Sequence, residues 1–169
     1  MVLAAFRWME VNLPGGQWLR ETTFGYSSLL TVHVLGTCIF FGLILMMDLR
    51  LLGWANLRSR ASEIQKRLFP WQMIGFVLLV ITGVALVWAQ PLRYYGKGFF
   101  WWKMLLMGLA GVNAGAIHLL THNKPESAWD SGAARVAGAV SIVLWLAVLV
   151  TGRLMAYEWY TTEYFVEDF

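Results

Sequence analysis

Residues Tyr26–Leu49 read YSSLLTVHVLGTCIFFGLILMMDL, with one imidazole, His33, and one carboxylate, Asp48, among twenty-four positions. A helix of that length rises about 36 Å, enough to cross about 30 Å of hydrocarbon. Three further runs share this character, at 69–90, 99–120 and 133–157. Together the four use most of a 169-residue chain. The expected fold is all-α: one integral membrane domain over 1–169, a transmembrane antiparallel four-helix bundle. Composition agrees, since 59% of residues are apolar and 14% charged, against about 45–50% and about 25% in soluble domains. Mean hydropathy is +0.58. Little chain remains for a soluble catalytic domain, so any chemistry sits within the bilayer or at its surfaces.

The flanks of the runs carry the expected punctuation. Pro70 is read as opening the second span, where a missing N–H costs little. Pro91, Gly96 and Gly98 mark the turn into the third, and Asn123, Lys124 and Pro125 the exit from it. Residues 56–68 read as a separate short surface helix. Residues 1–24 are too short and polar to span, and Phe6, Trp8 and Trp18 make them an interfacial segment. No cleavable signal peptide is evident there. Ten tryptophans need no ligand to explain them. Trp88, Tyr94, Tyr95, Trp101, Trp102, Tyr157, Trp159 and Tyr160 form one interfacial belt, and Trp54, Trp71 and Trp129 the other.

Arg50, Arg58, Arg60, Lys66 and Arg67 crowd the first connection, and Lys124 and Arg135 flank the third. The tail after Arg153 holds Glu158, Glu163, Glu167 and Asp168 and no base. The positive-inside rule then places both termini outside, periplasmic if the membrane is a bacterial inner membrane. Arg93, Lys97 and Lys103 run against that trend. The net charge of +3 serves orientation, and no basic patch interleaved with aromatics suggests nucleic acid. The lone Cys38 excludes an intramolecular disulfide and Cys-based iron–sulfur or structural zinc sites.

Polar groups inside spans are expensive, and so they are the candidates for function. Helical rise puts His33 roughly 10 Å below the outer end of its span, with Lys103 and Arg153 roughly 6 Å deep. Asp48, Arg50 and His118 fall near the inner face. An inward His in a four-helix bundle is a common setting for haem b. On that reading His33 is the metal ligand, and Lys103 and Arg153 meet the propionates. Met104, Met107 and Met155 are candidate second ligands. The alternative is a structural His33 bonded to a Thr, a Ser or a backbone carbonyl. His118 also enters as a cofactor candidate, but it lies roughly 15 Å from His33 along the normal, which opposes a simple bis-histidine site. His118 with His122 could serve a second, inner site.

Asp48-Leu49-Arg50 reads as a helix-end ion pair, with Asn113 or His118 as further partners. Gly111, Gly115 and Gly138 are expected to bring spans three and four into closest contact. Met46, Met47 and Cys38 do not converge with His33 on one face, so copper is a minor reading. The set His33, Asp48-Leu49-Arg50-Leu51-Leu52-Gly53, Phe99 through Lys103, Asn113, His118, Ser141, Trp145 and Gly152-Arg153…Ala156-Tyr157 resembles an uncharacterised family of small bacterial four-helix inner-membrane proteins. The resemblance runs from Trp18 to Tyr157. It implies a bacterial origin and four spans, and supplies no activity.

Three functions fit these residues. The first is a cytochrome b-like electron-transfer protein with haem b at His33, a quinone as reductant and a periplasmic partner. The second is a non-catalytic anchor, in a homo-oligomer or with other membrane subunits. The third is a small proton-linked transporter using His33, Asn113, His118 and Asp48. Whether the chain is an enzyme stays open at this point.

Overall fold

The computed structural model describes residues 1–12, 15–22, 24–122 and 124–158. Within them lie eight helices: α1 (Val2–Asn12), α2 (Gly16–Glu21), α3 (Gly25–Leu51), α4 (Ala61–Ala89), α5 (Pro91–Tyr95), α6 (Gly98–Thr121), α7 (Glu126–Trp129) and α8 (Gly132–Leu154). Four of them, α3, α4, α6 and α8, are long and apolar enough to cross a membrane. The chain is a multi-pass membrane protein with an all-α four-helix bundle. Connections of about ten residues or fewer reach too short a distance to return along a helix of 40 Å. Successive spans are therefore antiparallel. The ends of α3 and α8 nearest the termini define one face of the bundle, the terminal face; the α3–α4 and α6–α8 connections define the loop face.

Two hairpins, α3–α4 and α6–α8, are each closely packed, and α3 against α8 joins them. By contrast the backbones of α4 and α6 come close at few points, although Ile64 and Leu68 of α4 and Ile117 of α6 pack against the same cluster near the loop face. α1 packs on α5, and α2 packs across the ends of α3 and α4. The N-terminal segment therefore caps the terminal face. Phe6 lies 5.4 Å from the Tyr95 ring and 6.3 Å from that of Trp101.

The loop face is locked by long-range polar contacts. The Arg50 guanidinium is buried, donating to Asp130 at 2.9 Å and to the Ser59 carbonyl at 3.2 Å. Asp48, also buried, lies toward Ser141 of α8 and makes no ion pair with Arg50, and its Oδ2 has no hydrogen-bond partner. The expected Asp48–Arg50 pair is thus absent, because two positions apart on a helix do not face each other. Glu126 accepts from the Ala61 and Ser62 amides, and from the Ser62 hydroxyl at 2.7 Å. That carboxylate satisfies orphan donors at the first turn of α4 and complements the helix dipole.

This cap explains a correction. Residues 61–68 are not a separate surface helix but the first turns of α4, which runs through Pro70. A proline inside a helix forfeits one backbone bond. Here the segment ahead of it is held by Glu126 and by apolar packing. Ala61, Met47, Leu51, Trp129 and Ala134 form a cluster that Ile64, Leu68 and Ile117 join. Trp129 is therefore a core anchor, whereas Trp54 and Trp71 are exposed as interfacial residues should be. Trp159, Tyr160, Glu163, Glu167, Asp168 and Asn123 lie outside the described residues.

Spans α6 and α8 do pack closely, but not through the expected glycines. A Cβ added at Gly108, Gly111 or Gly115 would meet nothing within 4 Å. The contact uses Ala110 and Ala137, with the Asn113 amide donating to the Ala137 carbonyl at 3.0 Å. Gly111 is one residue, about 100°, around the helix from Ala110. Gly138 instead faces α3, where a Cβ would lie 3.1 Å from Leu51 Cβ and 3.3 Å from the Asp48 carbonyl. Gly138→Leu is expected to cost about 1–3 kcal/mol by overpacking, while Gly111→Leu leaves the monomer's thermal stability in detergent unchanged. Equal melting temperatures for the two variants would contradict this packing.

Candidate functional site

His33 lies on α3 about 12 Å below its first residue, turned toward α4. Its Nδ1 is 2.8 Å from the Thr82 hydroxyl, which in turn lies 2.8 Å from the Leu78 carbonyl. A hydroxyl has one proton to give, and a carbonyl can only accept. Both contacts are hydrogen bonds only if Thr82 donates to Leu78 and accepts from Nδ1–H. The proton of the neutral ring is thereby placed on Nδ1, and Nε2 keeps its lone pair. Gly83 makes the close approach possible, since a Cβ there would sit 3.3 Å from His33 Cε1.

Lys103 of α6 lies about one turn nearer the terminal face than His33 by helical rise. Its stem runs over Gly152 of α8, whose added Cβ would lie 3.5 Å from Nζ. Among the described residues the ammonium makes no hydrogen bond and no ion pair. One turn along α8, the buried Lys97 donates to the Met155 carbonyl at 2.7 Å. Burial, reinforced by Arg93, pulls the Lys97 ammonium below the usual lysine range, and Glu158 opposes that shift. Glu158 itself accepts from the Gly98 and Phe99 amides at 3.0 and 3.1 Å, capping α6. His33, Lys103 and Lys97 thus mark successive levels from the bundle interior to the terminal face.

The other expected residues are distributed differently. Arg153 does not join His33: it is exposed, bonds the Tyr157 hydroxyl at 2.7 Å and lies over that ring. At that level α8 turns Gly152 toward Lys103 and Arg153 away from it. Met107 is half-buried, one turn below Lys103 and level with His33 by helical rise. Met104 is 100° away and exposed. His118 is exposed near the loop face, about 18 Å deeper than His33, beside His122. No group of three or more His, Cys, Asp or Glu side chains is placed to hold a metal among the described residues. A macrocycle that brings its own four nitrogens needs only one or two protein ligands.

Sequence reasoning missed Thr82, Lys97, Glu126 and Glu158. A lone threonine beside Gly83 in an apolar span was the available signal for Thr82. The two glutamates act across 60 or more positions, which no local pattern reveals. In the ligand-free protein, 15N NMR of the imidazole nitrogens should show a protonated Nδ1 and a lone-pair Nε2 for His33. Thr82→Ser should keep this tautomer, whereas Thr82→Val should lose it and cost about 1–3 kcal/mol for the unpaired donor. A wild-type ring protonated on Nε2 alone would refute the assignment.

No curated protein and no solved structure matches the chain. A family pattern does, over residues 6–158, in keeping with the resemblance carried by the Asp48–Gly53 and Gly152–Tyr157 stretches. The chain belongs to the family described as Family of unknown function (DUF6644).

Proposed function

We propose that this protein is a cytochrome b-like electron-transfer protein that binds haem b in the half of the bundle nearest its termini. The observation that carries the reading is a His33 ring whose Nδ1 lies 2.8 Å from the Thr82 hydroxyl and whose Nε2 makes no hydrogen bond among the described residues, together with a Lys103 ammonium that has no partner there either. A group that fits both must take a nitrogen ligand at one point and present an anion at another. Haem b does so through its iron and its propionates. His33 would hold the iron through Nε2, its ring oriented by Thr82 as ligating histidines are generally held by their second nitrogen. Lys103 supplies the counter-charge, and Met107 is the second ligand candidate.

When bound, haem supplies one-electron chemistry. This chain's residues set its position, its charge balance and its separation from water. A quinone as reductant and a periplasmic protein as acceptor complete the proposal. The orientation is supported by the exposed Arg58, Arg60, Lys66, Arg67, Lys124 and Arg135 at the loop face. On this reading the loop face lies in the cytoplasm of a bacterial inner membrane and the site lies on the opposite side.

One observation favours the second reading, a non-catalytic subunit in an oligomer. Gly108, Gly111 and Gly115 form an open small-residue face on α6, of the kind that helices in lipid pack against. Protein expressed with ample haem separates the two. The wild type should show a Soret band that His33→Ala abolishes and His118→Ala leaves intact. Lys103→Met should retain the band with weaker haem retention. Colourless wild-type protein, or a band surviving His33→Ala, would reject the haem assignment and leave the subunit reading in place.

A further inference from the structure

We propose that His118 and His122 form a two-histidine chelate for a divalent transition-metal ion at the loop face, separate from the His33 site. The two residues stand at i and i+4 at the end of α6, the spacing that puts two imidazoles on one helix face. The His122 amide donates to the His118 carbonyl at 2.7 Å, which keeps that turn closed although His122 is already the C-cap. Their ring centroids are 4.5 Å apart, with planes inclined by 36°. With metal–nitrogen bonds of about 2.1 Å, two imidazoles bound cis to one ion have centres about 4.5 Å apart.

Both side chains are exposed, and neither ring has a hydrogen-bond partner among the described residues. Thr121, between them in sequence, is buried and bonds the Ile117 carbonyl at 2.7 Å, so the histidines flank the packed face and do not enter it. The neighbouring carboxylates are engaged elsewhere, Asp130 with Arg50 and Glu126 with the start of α4. The donor set is therefore two neutral nitrogens, with water or lipid oxygens completing the shell. Such a set favours Cu2+, Ni2+ and Zn2+ over Mg2+ and Ca2+. A bound ion would also brace the exit from α6 into α7, whose Glu126 secures α4.

Calorimetric titration with Ni2+ tests the site, using full-length protein in detergent, free of haem and with a purification tag that contains no histidine. The wild type should bind one equivalent and melt at a higher temperature with the metal present. His118→Ala and His122→Ala should each weaken binding by about tenfold or more and lose the thermal gain, with metal-free melting unchanged. His33→Ala should bind Ni2+ as the wild type does, which keeps this result independent of the haem reading. Equal binding by the wild type and the His118→Ala/His122→Ala double variant would show an adventitious ion only and overturn the proposal. So would loss of binding in His33→Ala alone.

Discussion

An ionised or strongly polar group inside a bundle must find its partner within the protein, since hydrocarbon offers none. The loop-face half of this molecule meets that constraint at most of its polar groups, although Asp48 Oδ2 and Gln65 Oε1 are buried without a partner. Arg50 has Asp130 and the Ser59 carbonyl, Asp48 lies toward Ser141, and Asn113 has the Ala137 carbonyl. Gln72 reaches the Leu43 carbonyl at 3.3 Å. These contacts join all four spans and fix their register. At the terminal face Glu158 caps α6 and Lys97 binds a carbonyl, while Lys103, deeper in the same half, has neither. Among the described residues within the spans, Lys103 and the second nitrogen of His33 are both without a partner, and the proposed function rests on these two groups.

The division of labour between the two halves follows from their packing. Near the loop face, Gly138 lets α3 and α8 approach, and Trp129 fills the junction with Met47 and Leu51. The hairpins meet through α3 on α8 and, at the loop face, through α7 on α4, while α4 and α6 come close at few points. On the proposed reading, anchoring at the loop face leaves the terminal half to hold an inserted group. Thr82 and Gly83 act on His33 from α4, Lys103 and Met107 come from α6, and Gly152 gives Lys103 its path along α8. Each span therefore contributes to the same region.

The four spans were legible because apolar length alone specifies a membrane helix. His33 and Lys103 were legible because an ionisable side chain in such a run stands out, and rise per residue gave their relative depth. What local pattern could not give was direction around the helix axis. Arg153 lies one residue from the end of α8 and is exposed, and the Gly111–Gly115 face points away from α8. The start of α4 was missed for a related reason. Pro70 looked like a boundary, but Glu126, sixty-odd residues away, caps the helix nine residues earlier.

The central claim is that the terminal half of the bundle holds one haem b per chain. A pyridine haemochrome assay on intact protein, purified in mild detergent from haem-replete membranes, measures it directly. The account predicts a b-type spectrum at close to one haem per chain. A folded, monodisperse preparation with no haem would contradict it.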